Sequence, residues 1–226
     1  KKIIIGDEKN PDAVFRYVEK KKYGLRFITM PPLTQTLGPW IKRASLKTGK
    51  IFSNEKKVIY NLLDLLGPFD YCTISMDLMY QNPLPFVWKG FSHKIRYTYT
   101  INNSQPIEHI WKNFTDKTKN TIKNEEKKFS LSTDLGFDSL FKNHQMTFNR
   151  QKIQYPFKKD WLKNLCDTCI QRNQGKFFHT IDKDGDVASS IFIIWDDRSA
   201  YYLIGGNNCQ NNIRGGNSFL LWEAIK

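Results

Sequence analysis

Residues 176–206 hold three apolar runs, "KFFHTID", "DVASSIFIIWDD" and "SAYYLIGG", split only by two short polar breaks. Strands joined so tightly must run antiparallel, because a parallel pair needs a long crossover. The first break, "KDGD", carries Asp184-Gly185, a pair that tolerates positive φ and marks a tight hairpin. The second break, "DDRS", reads as another turn. The spacing therefore predicts an antiparallel meander. The third run stops at Gly205-Gly206, an amide-rich loop follows, and a second pair, Gly215-Gly216, opens the apolar stretch "NSFLLWEAIK". That stretch reads as a helix, capped by Asn217 or Ser218.

Helices precede the meander. "SQPIEHIWKNF" has Ser104 as a cap and Pro106 in the first turn, with Ile107, Ile110, Trp111 and Phe114 on one face. A basic helix is expected from Asp116 to Lys128, with Lys117, Lys119 and Lys123 on its charged side. "FDSLFKNHQMTFNRQ" and "KKDWLKNLCDTCIQRN" are two more, and Gly175 is read as ending the last. In the first half, "KKIIIGD" reads as a strand and Leu25–Met30 as an apolar run stopped by Pro31 and Pro32. "SNEKKVIYNLLDLLGPF" predicts a helix capped by Ser53 or Asn54, with Val58, Leu62, Leu63 and Leu66 on one face and a stop at Gly67-Pro68. "DYCTISMDL" and "GFSHKIRYTYTI" alternate and predict strands. No short repeat recurs, but both halves share a helix-plus-strands plan.

With 226 residues, a 40% hydrophobic share, 16 Phe and 6 Trp, the chain can bury a core in one large domain or two small ones. No run approaches the roughly eighteen apolar residues of a membrane span, and no signal peptide is visible. Net charge is +13 and uneven: residues 1–60 hold 14 Lys and Arg against 5 Asp and Glu. Such a balance suits nucleic acid, an anionic membrane face or a phosphate-bearing substrate. Lys far outnumbers Arg, which speaks against base and phosphate readout. Cys166 and Cys169 form a CxxC, but without a second pair or spaced histidines no metal site is expected. Few cysteines fit a reduced, cytoplasmic setting.

The glycine loop carries the chemistry. A helix N-terminus presents unbonded N–H groups and partial positive charge, and so attracts phosphate. Gly215 and Gly216 let the backbone approach an anion, and Arg214 adds a bidentate donor. A P-loop is excluded, since no Lys-Ser or Lys-Thr follows the glycines.

In order, "RYTYTINNSQPIEHIWKNFTDKTKNTIKNEEK", "DKDGDVASSIFIIWDDRSAYYLIGGNN" and "RGGNSFLLWEAIK" resemble the GNAT-type acyltransferase domain of the Fem-like group. That group includes the peptidyl transferases of peptidoglycan cross-bridges and bacterial FemAB-like acetyltransferases. "GLRFITMPPLTQTLGPW" resembles its first half, where a GNAT-like unit is repeated. The fold implied is α+β: tandem GNAT-like units, 1–101 and 102–226, with mainly antiparallel sheets flanked by helices. Two departures stand out. Asn212 holds the usual Gln/Arg position and Asn217 that of the second Gly. The chain begins at Lys1 without a Met and the group continues past this helix, so a chain truncated at both ends is expected.

The resemblance implies transfer of an acyl group from acyl-CoA (acetyl-CoA), as co-substrate, to a small-molecule, glycan or peptide amine, in cell-envelope or glycan biosynthesis. Alternatives are an aminoacyl-tRNA-dependent transferase and a non-catalytic anion- or glycan-binding relative. Peripheral membrane contact is compatible with the charge. Catalysis would rest on positioning and backbone oxyanion donors, with no covalent nucleophile. The donor residues implied are Phe192 and Ile194 on the second meander strand, then Asn211, Asn212, Arg214, Gly215, Gly216 and Asn217. Gln35 and Trp40 are the implied acceptor contacts. No base stands out; His179 and Gln35 are the candidates, with His179 also read as a packed strand residue.

Overall fold

The computed structural model describes residues 1–42, 48–78, 80, 82–208 and 215–226. They divide into two compact units, Lys1–Thr98 and Tyr99–Lys226. The first contains β1 (Lys2–Gly6), β2 (Pro11–Arg16), β3 (Val18–Lys22), β4 (Leu25–Thr29), β5 (Trp40–Ile41), α1 (Thr48–Leu66), β6 (Tyr71–Cys72) and α2 (Leu84–Trp88). Two three-stranded sheets result, ordered β1-β2-β5 and β3-β4-β6. Ala13 and Phe15 from β2, Ile28 from β4 and Phe86 from α2 meet Ile59, Leu62 and Leu66 of α1 in the core. The last three recur at helical spacing, which is why α1 lies on the sheets by one face.

Arg26 fastens the end of α1. Its Nη1 donates to the Leu66 carbonyl at 2.7 Å and the Pro68 carbonyl at 2.6 Å, acceptors that a helix C-terminus leaves unbonded. Its Nε and Nη2 donate to Glu19 Oε2 at 2.9 and 2.8 Å. Hydrogen bonds from Lys1 and then Arg26 hold the Glu19 carboxyl down at about 2.

Three expectations for this unit change. Helix α1 starts at Thr48, so Ser53 and Asn54 lie inside it rather than capping it. "DYCTISMDL" supplies only Tyr71–Cys72 as strand, parallel to β4. "GFSHKIRYTYTI" forms no strand among the described residues; Tyr97 and Tyr99 are 93% and 103% exposed. Alternation makes a segment competent to pair, but a strand exists only where a neighbour accepts its ladder. Conversely, β3 (VEKKK) has no apolar pattern and forms by pairing with β4.

The second unit contains α3 (Ile107–Asn113), α4 (Asp116–Glu126), β7 (Ser130–Ser132), α5 (Phe137–Arg150), α6 (Lys159–Gln171), β8 (Gly175–Ile181), β9 (Val187–Trp195), β10 (Ala200–Asn207) and α7 (Asn217–Ile225). The sheet order is β10-β9-β8-β7, all antiparallel. The predicted meander is thus present, extended by β7. Asp182 Oδ1 accepts from the Asp184 and Asp186 amides at 3.0 and 2.9 Å, and Gly185 takes φ +87°. Asp196 Oδ1 accepts from Arg198 and Ser199 at 2.8 and 2.9 Å, closing the second turn. Those bonds hold the Asp196 carboxyl below its ordinary range. Gly175 opens β8 instead of merely ending α6; a Cβ there would lie 2.6 Å from the Phe192 ring. Ile191 and Ile193 pack on Leu220 of α7, while Ser190 on the other face reaches Asn143 of α5. Trp222 of α7 lies 4.8 Å from Trp111 and 5.7 Å from Phe114, ring to ring.

Leu62 is 2% exposed. Leu62→Ala is expected to cost about 2–5 kcal/mol in urea unfolding; a loss below about 1 kcal/mol would remove α1 from the core of its unit.

Candidate functional site

Strand β9 lies between β8 and β10, so its backbone groups serve two ladders. Phe192 is fully buried and Ile194 half-buried within it. Phe192 stands opposite Phe177 and Ile204, and Ile194 opposite Gly175 and Tyr201. Among the described residues β10 is paired on one side only, and its outer edge offers N–H and C=O groups. That free edge lies one strand outward from Phe192 and Ile194, and periodicity does not reveal it.

That edge is irregular. Tyr202 opposes Ile193 and Ile204 opposes Phe192, which leaves Leu203 as an extra residue on β10. A bulge of this kind takes one residue out of the ladder and re-aims the strand. It also explains why Leu203 and Ile204 are both buried. Beyond it, the strand needs glycine. A Cβ on Gly206 would sit 2.3 Å from the Asn143 carbonyl oxygen, and one on Gly205 would collide with the Tyr202 hydroxyl. Tyr202 folds along the strand toward α7; burial of its hydroxyl end raises its pKa, and a hydrogen bond from Asn217 partly opposes this. The ring as a whole is 42% exposed. Sequence reading missed Tyr202 and Leu203, which carry no signal beyond strand composition.

The base of the polar loop is tied shut. The Asn208 amide donates to the Ala188 carbonyl at 2.7 Å. Ser189 Oγ lies 2.7 Å from the Gly215 carbonyl oxygen and 2.8 Å from the Asn207 side-chain amide. The Ser189 hydroxyl is within donating distance of both the Gly215 carbonyl and Asn207 Oδ1, and its one proton serves one of them at a time. Gly215 and Gly216 take φ +108° and +94°, conformations that favour glycine. Gly216 approaches so closely that a Cβ would meet Thr180 Oγ1 at 2.5 Å. Asn217 begins α7 with its Oδ1 buried and unpartnered. Asn211, Asn212 and Arg214 lie outside the described residues.

The α7 N-terminus already holds an anion. Glu125 Oε2, from α4, accepts from the Phe219 amide at 2.9 Å. Its Oε1 lies 3.0 Å from where a Gly215 Cβ would be. The expected phosphate cradle thus has a protein carboxylate in it.

His179 is fully buried and both ring nitrogens are engaged, Nδ1 with Ser190 Oγ at 2.8 Å and Nε2 with the Leu135 carbonyl at 2.9 Å. The carbonyl fixes the proton on Nε2, so Ser190 donates to Nδ1 and in turn accepts from Asn143 Nδ2 at 3.0 Å. Burial lowers the His179 pKa against that carbonyl bond. A closed network away from solvent is the geometry of a packed strand residue. His144 is likewise buried, with Nδ1 2.9 Å from the Tyr155 hydroxyl, and burial lowers its pKa. In the first unit, Trp40 is 53% exposed and lines a cavity of about 280 Å³ with Val14, Arg16, Leu37 and Gly38. Gln35 is exposed and outside that lining. Cys166 and Cys169 are free thiols on α6, and burial pushes Cys166 up to about 12. Among the described residues no three His, Cys, Asp or Glu side chains converge for a metal. No helix there is long and apolar enough to cross a membrane.

Two outcomes follow from this geometry. Gly185 has a similar φ but open space around it. Gly216→Ala should therefore lower Tm several degrees further than Gly185→Ala, the difference reporting the Thr180 collision; equal shifts would mean that the approach is not tight. His179 and His144 have folded pKa values below their ordinary 6.5, so the unfolded chain binds the extra protons on acidification. Their stabilisation is present above pH 6.5 and lost as pH falls below it. The urea midpoint should fall from pH 7 to pH 5, less steeply in His179→Gln; a profile unchanged by the substitution would contradict the buried neutral imidazole.

Residues 116–226 match the family described as "Acetyltransferase (GNAT) domain". A solved structure, "Crystal structure of FemX", superposes on 100% of this chain and 75% of its own, with TM-score 0.61 and 8% sequence identity, a likeness of fold. No curated protein matches the chain. Residues 116–226 thus form a segment that matches the GNAT acetyltransferase domain, in a chain of Fem-like fold, and the protein is an acyltransferase.

Proposed function

We propose that this chain transfers an acyl group from a thioester or ester carrier to an amine, with the reacting carbonyl lodged at the outer edge of β10. The observation that carries the reading is the bulge at Leu203 on a strand paired on one side only. An N–H that the bulge takes out of the ladder would be the donor for the oxyanion that forms as the amine attacks. The amine nitrogen bonds to the carbonyl carbon and sheds its proton to water or a base. The carrier's sulfur or oxygen then leaves and takes a proton from the Tyr202 phenol. A raised pKa keeps that phenol protonated at neutral pH. Two carriers have suitable reactive groups, acyl-CoA and aminoacyl-tRNA.

Taken by itself, the first unit offers the exposed indole of Trp40, which lines the 280 Å³ cavity together with Arg16, residue types suited to a sugar or peptide bearing an anionic group. Gln35 would contact the acceptor from the adjoining loop. The setting proposed is cytoplasmic, in envelope or glycan biosynthesis; free thiols at Cys72, Cys166 and Cys169 accord with it. The first unit's basic surface leaves room for peripheral membrane contact.

Tyr202→Phe should lower kcat by about 100-fold with KM little changed, assayed by acetyl-thioester aminolysis with a panel of amines. An unchanged kcat would remove Tyr202 from the chemistry. A wild-type protein that turns over neither a thioester nor an aminoacyl ester would overturn the proposal itself.

A further inference from the structure

The sequence points to α7 as the seat of a carrier's diphosphate, and in the fold Glu125 sits there. Its partner Phe219 is 94 residues away, so the contact is tertiary, made where α4 packs on α7. A tilted contact of Trp111 and an edge-on contact of Phe114 with Trp222 hold α7 from a second side. Both Glu125 oxygens face the Gly215–Phe219 turn, one bonded to the Phe219 amide and one close to Gly215. A carboxylate at that end favours the helix as any anion would. A diphosphate arriving there meets like charge and competes for the same amide.

We propose that Glu125 is a donor-specificity residue, a built-in anion that fills the N-terminal site of α7 and bars carriers whose diphosphate would occupy it. Gly215, which on sequence alone looks shaped for a ligand's phosphates, here faces the Glu125 carboxylate, while Gly216 faces Thr180 and Ser189. Glu125 touches no reacting atom. It acts by setting which carriers fit, and so rests on the acyl-transfer reading for its purpose but not for its detection.

The test is calorimetric titration of the whole chain with CoA and with inorganic pyrophosphate. Glu125→Gln keeps an oxygen for the Phe219 amide and removes the charge; Glu125→Ala removes both. Each is expected to bind CoA and pyrophosphate about tenfold or more tightly than wild type. Glu125→Asp keeps the charge and shortens the reach, and is expected to gain less than Glu125→Gln. Variants that bind no better than wild type overturn the proposal, as does a gain in Glu125→Asp equal to that in Glu125→Gln. Thermal unfolding confirms that each variant is folded, and pyrophosphate-dependent stabilisation reads the same affinity independently. Turnover of a small phosphate-free acetyl thioester by wild type is read separately. Its absence would sink acyl transfer and leave the binding comparison intact.

Discussion

Strand β9 is hydrogen-bonded along both edges and packed on both faces, and the second unit is arranged around that constraint. A strand so enclosed commits its backbone groups to two ladders. Among the described residues β10 has one partner and carries a bulge at Leu203. The same enclosure sets the composition of the facing strands. Gly175 and Gly206 stand where a Cβ would strike Phe192 or the α5 backbone, so the helices come close because these residues have no side chain.

The polar loop is governed by electrostatics and closure together. Ser189 joins Asn207 to Gly215 and so fixes both ends of the loop from one hydroxyl. That brings α7 back against β9, where Leu220 joins Ile191 and Ile193. Helix α4 then places Glu125 at the α7 N-terminus. The Phe219 amide at the positive end of α7 is thus bonded to a carboxylate of the protein itself.

Much of the architecture was legible because it rests on local chemistry. The meander follows from three apolar runs and two Asp-rich turns, and the Asp182 and Asp196 side chains close those turns by bonds within four residues. The helices of the second unit follow from apolar spacing. What periodicity missed depends on partners: residues 90–101 alternate and form no strand, whereas Val18–Lys22 is mostly charged and does. Within the site, Gly215, Gly216 and Asn217 were readable as a glycine turn into a helix. Tyr202, Leu203 and Glu125 were not, since a bulge, a folded-over ring and a contact across 94 residues leave no mark in spacing.

The sequence by itself determined the antiparallel ribbon, the glycine-flanked loop and the helix after it, because turn chemistry and side-chain periodicity act over a few residues. The tertiary structure alone decided which strand has a free edge, that His179 is locked in a closed network, and which anion occupies the end of α7. Those outcomes depend on groups brought together from distant positions, and only packing fixes their distances.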